Sequence, residues 1–202
     1  MSTRAQQLRG SYFDDVREGN VFSQSATPLG LAIPIYTATA IAGGMPIWNP
    51  PNSGVDVELI RVDLAYGSGT AEYASIGVMM GYVQAISTAS GLSAFAATSA
   101  VNAYTARQGG SRVSSSNAGT VTVTAGVATA PVLGVTGAGW IRTLASINLE
   151  AQTGTAHGTI VASYSFSGTL VVAPGTLVYL AAGRASTALY ASCVIWREVP
   201  VL

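Results

Sequence analysis

Charge is what this sequence has least of. Asp, Glu, Lys and Arg together make up 9 % of its 202 residues, against about 25 % in ordinary soluble domains. Lysine is missing altogether: all nine cations are Arg, and nine acids balance them to a net charge of zero. Arginine without lysine suits bidentate, partly buried pairing better than a solvated exterior. A small protein that is neutral and sparsely charged tends to associate, so much of the surface is expected to be covered, with light scattering as the check. The Arg residues are scattered singly among the acids, and without a basic stripe nucleic acid is not an expected partner.

Other scarcities narrow the classes further. The single cysteine, Cys193, can close no internal disulfide, and its apolar setting predicts a buried small hydrophobe. The single histidine, His157, has no nearby Cys or acid, so neither a zinc site nor a local triad forms around it. No long apolar run is free of Gly, Pro and polar residues, and MSTRAQQLRGSYFDDVREG lacks an apolar leader segment. The expectation is cytoplasmic synthesis with no membrane span and no signal peptide.

What the sequence does contain is strand. In GTLVVAPGTLVYLAAGRASTALYASCVIWREVP, from Gly168 to Pro200, short apolar stretches alternate with turn signals. Pro174 presets φ and Gly175 accepts a positive φ, the chemistry of a type II turn. Leu189–Val199 is apolar on both faces, with Leu189, Ala191, Cys193 and Ile195 on one and Tyr190, Val194 and Trp196 on the other. Such a strand is expected to be covered on both sides, by a facing sheet and by a loop, an arm or a neighbouring subunit.

Upstream, Asn49-Pro50-Pro51-Asn52-Ser53-Gly54 is the strongest turn signal. Between Val55 and Tyr66 the alternation reverses phase: Val55, Val57 and Leu59 share one face, then Val62, Leu64 and Tyr66 take over the apolar role. A regular strand cannot do this, so a bulge near Ile60 and Arg61, or a change of sheet, is predicted. Further strands are read at Met45–Trp48, Ser75–Ile86, Thr120–Ala125, Val127–Val135, Trp140–Glu150 and Thr159–Phe166. A short helix at Ala94–Ala106 is a further option. Eight to ten short strands with turn signals between them predict an all-β fold, an antiparallel β-sandwich of jelly-roll-like kind, spanning residues 23–202.

Residues 1–22 differ in composition and hold six of the eighteen charges. They are expected to form an extended N-terminal arm that packs on a neighbouring chain, with Arg4, Arg9, Tyr12, Phe13, Arg17 and Phe22 as interface residues. The alternative is a short helix from about Ala5 docked on its own domain.

Two patterns invite a chemical reading. Gly134, Gly137 and Gly139 resemble a phosphate loop, but no Lys-Ser/Thr pair and no helix follow, so a turn is expected. Asp56 and Glu58 lie on one strand face about 7 Å apart, as paired glycosidase carboxylates can. A solvated or Arg-paired role, with Arg61 or Arg142 as partner, is the simpler expectation. No cofactor, metal, small-molecule substrate or enzymatic activity is expected.

The segments EGNVFSQSATPLGLAIPIYTATAIAGGMPIWNPPNSG and VVAPGTLVYLAAGRASTALYASCVIWREVP resemble tailed-phage virion structural proteins, and most of all the small capsid decoration, or cement, proteins. The resemblance covers the two ends of the chain and carries turn and strand motifs, with no catalytic residues. It implies a homotrimeric all-β subunit on the capsid exterior of the virion, with the major capsid protein and copies of itself as partners. Three functions remain open: capsid decoration, another virion part such as a head fibre base, tail component or receptor-binding module, and a glycan-cleaving enzyme.

Overall fold

A computed structural model describes residues 12–26, 29–36, 42–70, 74–82, 92–93, 101–103, 111–115, 122–123, 139–147 and 161–201. In chain order these form helix α1 (Phe13–Glu18), then strands β1 (Val21–Ser25), β2 (Leu31–Ala32), β3 (Ile47–Asn49), β4 (Val55–Ser68) and β5 (Ala74–Tyr82). Four two-residue strands follow: β6 (Leu92–Ser93), β7 (Val101–Asn102), β8 (Ser114–Ser115) and β9 (Thr122–Val123). The chain continues through β10 (Gly139–Ile147), β11 (Val161–Ser165), β12 (Val171–Val172), β13 (Thr176–Ala182) and β14 (Leu189–Pro200). Eight of these strands have three residues or more, and the chain is all-β, as its alternation predicts.

The larger sheet has the order β11-β4-β14-β1-β7, with β12 also on β4 and β2 also on β14. The smaller has the order β10-β5-β13-β3-β8, and β6 pairs with β9. Every strand pairing is antiparallel. The sheets form a sandwich-like arrangement, and these strand orders alone do not establish a jelly roll. Its core joins Phe22, Val57, Leu59, Val62, Val194 and Trp196 of the larger sheet to Ile47, Val78, Val178 and Leu180 of the smaller. Asn49 is buried where the two sheets meet. Its side-chain amide donates to the Val55 carbonyl at 2.8 Å and to the Val172 carbonyl at 2.9 Å, tying β3 to β4 and β12.

The phase reversal in β4 is a bulge. Ile195 faces Arg61 and Trp196 faces Leu59, so Ile60 is the extra residue. Val55, Val57 and Leu59 on one side of it and Val62 and Leu64 on the other are therefore all buried. The Ala173–Thr176 turn also forms as read, with Gly175 at φ 83° and the Thr176 amide donating to the Ala173 carbonyl at 3.2 Å.

Within the single chain β13 is covered on both faces, whereas the outer face of β14, expected to be covered by a loop, an arm or a neighbouring subunit, is half-open. In β13, Leu177, Tyr179 and Ala181 are buried on one face and Val178, Leu180 and Ala182 on the other. In β14 only the face of Tyr190, Ser192, Val194 and Trp196 is buried. Opposite it, Leu189, Cys193 and Ile195 are half-buried and Ala191 is exposed. The expectation of a buried Cys193 is corrected accordingly. Ala191 and Cys193 are small, so leaving that face partly open exposes little apolar area.

The option of a helix at Ala94–Ala106 meets strand β7 at Val101–Asn102, and its remaining residues, Ala103 apart, lie outside the described ones. The strand read at Val127–Val135 also lies outside them.

Candidate functional site

Among the described residues, most of the charged side chains gather at one end of the sandwich, where β14 finishes, β4 begins and α1 lies across the outer face of the larger sheet. Helix α1 has Asp14 and Asp15 in its first turn and none of its residues is buried. Six residues of helix are not stable alone, so its contacts hold it in place. The Tyr12 hydroxyl donates to Glu58 Oε1 at 2.9 Å, and Arg197 Nη1 donates to Asp15 Oδ2 at 2.8 Å. Arg197 Nη2 also donates to Glu58 Oε2, its cross-strand neighbour. The guanidinium carbon lies 5.3 Å from the centroid of the Tyr12 ring, within cation–π range.

The electrostatics follow from partial burial. Glu58 is 7 % exposed, and both its oxygens accept hydrogen bonds. Burial pushes the Tyr12 phenol pKa up, and the hydrogen bond to Glu58 adds to the rise. Burial works against the Arg197 cation, yet its bonds to Asp15 and Glu58 outweigh that and raise its pKa. On the opposite face of β14, Glu198 is also buried. It accepts from the Ser111 hydroxyl and, at 3.1 Å, from the Arg112 amide.

Apolar side chains stand open beside these bonded charges. Val171 faces Glu58, and Val199 faces Asp56. Phe13 is 41 %, Val171 49 %, Val199 37 % and Val201 51 % exposed. Further along the same outer face the side chains are short and mostly uncharged: Ala65, Ala191, Ser163 and Ser165, with half-buried Cys193 and Ile195. Arg61 and Asp63 pair with each other there at 2.7 Å.

The interface residues expected from sequence separate in the structure. Tyr12 is bonded to its own domain through Glu58. Phe22 belongs to the core, stacked on Trp196 with centroids 6.1 Å apart. As an anchor for a neighbouring chain, Phe22 is corrected: it lies in β1, hydrogen-bonded along β14, so the sheet begins inside residues 1–22. Phe13 and Arg17 lie on the exposed side of α1. Arg4 and Arg9 lie outside the described residues.

Arg197 is the residue that sequence reasoning missed. The partner expected for Asp56 or Glu58 was Arg61 or Arg142, but Arg61 holds Asp63. Arg142 donates to the Thr169 hydroxyl at 2.6 Å and lies 5.8 Å from the Phe166 ring centroid. The available signal was the parity of β14, which puts Arg197 on the face opposite Trp196; the pairing of β14 with β4 supplies the rest.

His157, Gly134 and Gly137 lie outside the described residues, and Gly139 opens strand β10. Among the described residues no group of three or more His, Cys, Asp or Glu could hold a metal ion. No helix among them is long and apolar enough to cross a membrane. No family model, curated protein or solved structure matches the chain.

Proposed function

We propose that this chain is a structural virion protein that decorates a phage capsid and stabilises it by bridging neighbouring capsid subunits. The observation that carries the reading is the outer face of the larger sheet. It is broad and built from short, mostly uncharged side chains, and its Arg61–Asp63 pair is internally neutralised. Covering such a face against another protein desolvates few ions and immobilises few long side chains, the two main penalties of association. A contact of roughly 800 Å² per partner suffices for each copy. Contacts made only in the assembled shell stabilise it by linkage, and many copies acting together multiply the effect.

Counting copies in purified particles and locating them by electron cryomicroscopy tests the proposal. Hundreds of copies on the capsid exterior, with a shell that ruptures at lower temperature when the protein is absent, is the expected result. A few copies at a vertex or on the tail would assign the chain to another virion part, and absence from particles would overturn the reading.

A further inference from the structure

Helix α1 and the sheet beneath it are held by different kinds of contact. Strand β14 is hydrogen-bonded to β4 on one side and to β1 on the other, and its inner face lies in the core. Helix α1 buries none of its residues. Its tie to the sheet runs through two side chains, Tyr12 on Glu58 at 2.9 Å and Asp15 on Arg197 at 2.8 Å. The chain passes from helix to sheet at Gly19, whose φ of 79° lies in the left-handed region that glycine enters without strain. The next residue already belongs to the sheet, because the Asn20 carbonyl accepts from the Glu198 amide at 2.9 Å.

We infer that Tyr12 and α1 form a strap that swings open about Gly19 while the sheet stays intact, and that the opening uncovers the Glu58 carboxylate. This motion is independent of whether the chain decorates a capsid. Elements with little buried apolar surface stand at the low end of local stability, and a helix of six residues adds no stability of its own. Closure relies on groups that water can also serve: Asp15 and Arg197 are partly solvated, and such pairs contribute little. Glu58 is the group that the strap hides. It is buried with the strap closed, one oxygen accepting from Tyr12 and the other from Arg197. Arg197 belongs to β14, so it stays when the strap leaves and the carboxylate keeps its counter-charge. Opening therefore strands no buried ion, the step that makes the breaking of buried pairs costly elsewhere.

Hydrogen exchange of the purified full chain, followed residue by residue by NMR in increasing urea, tests the opening. Carbodiimide amidation of Glu58, located by mass spectrometry, tests what the opening uncovers. The amides of Val16, Gly19 and Asn20 donate to the carbonyls of Tyr12, Val16 and Asp15, so they should be released together. Their opening should be about a hundredfold or more as frequent as that of β14 amides, and nearly independent of urea because little surface is exposed. Tyr12→Phe keeps the ring and removes the hydroxyl, and should raise strap exchange about tenfold. Asp15→Asn weakens the tie to Arg197 without touching Glu58. It should raise strap exchange and Glu58 amidation together, each about threefold, with β14 exchange unchanged.

Three results would each overturn the inference. One is strap amides that exchange with the frequency and urea dependence of β14, which would make the strap part of the globally cooperative unit. Another is strap exchange that neither substitution alters. The third is Glu58 amidation that stays at the wild-type rate in Asp15→Asn while strap exchange rises. None of these results depends on whether the chain is found in particles.

Discussion

Arg197 is a cation shared by two carboxylates and an aromatic ring, and its removal affects all three. In Arg197→Met, Glu58 would keep its buried position without a counter-charge. The expected loss is about 2–3 kcal/mol, somewhat below that for a fully buried pair because Arg197 and Asp15 are partly solvated. Urea unfolding measures it, and proteolysis should cut before β1 sooner in the variant, since α1 loses its tether. Gln24 gives the opposite expectation. It is buried on the inner face of β1, and neither amide atom has a partner among the described residues. Gln24→Met removes an unpaired polar group at similar volume and should stabilise by about 1 kcal/mol, read as a higher urea midpoint. Neither role is legible from sequence. A lone Gln in VFSQS gives no sign of which way it faces until β1 is set against β14, and Arg197 looks like any strand-end cation until Glu58 is placed beside it.

The elements were more legible, because turns and alternation are local. Pro174-Gly175 announced its turn, and the reversal between Leu59 and Val62 announced the bulge at Ile60. Since Ile60 is the one surplus residue there, deleting it should leave a regular strand with Val55, Val57, Leu59, Val62 and Leu64 still facing inward. That deletion is expected to fold with a lower melting temperature, because the Ile60 carbonyl accepts the Phe166 amide. Deleting Asp63 instead puts Leu64 and Tyr66 out of phase and should abolish cooperative melting. Gly77 is another local constraint that only the fold discloses. A methyl group there would collide with the Trp140 indole and the Arg142 carbonyl of the neighbouring strand. Gly77→Ala should cost about 1–3 kcal/mol and shift tryptophan emission to longer wavelength as Trp140 is displaced. Both β13 and β14 carry apolar residues on two faces, and the pattern alone does not tell that β13 is covered within the chain while the outer face of β14 stays half-open there. That half-open face mixes small Ala191 and Cys193 with the larger Leu189 and Ile195.

For the whole molecule, alkaline pH is the sharpest probe of the packed state. Burial pushes the Tyr179 phenol up to about 12, and raises that of Tyr190 as well. With a folded pKa above the unfolded value of 10.0, the native state holds a proton that the unfolded chain gives up. The stabilisation from the neutral phenol is therefore complete below pH 10 and is lost as pH rises towards 12. Phenolate absorbance from Tyr179 and Tyr190 should rise together with the loss of sheet signal. Composition foretold the shortage of charge, but not the cluster of Asp15, Glu58 and Arg197, because these residues are far apart in sequence and meet only when the sheet closes. That closure has a consequence for synthesis. Strand β14 lies between β4 and β1 and pairs with both, and its first residue, Leu189, faces Ser68. At ribosomal speeds of 5–20 residues per second, β4 waits roughly ten seconds beside the exit tunnel for the strand that completes it. Through that interval the nascent chain carries at least two open hydrogen-bonding edges, one on β4 and one on β1, so its yield in a cell should depend more on chaperones shielding those edges than on the stability of the finished fold.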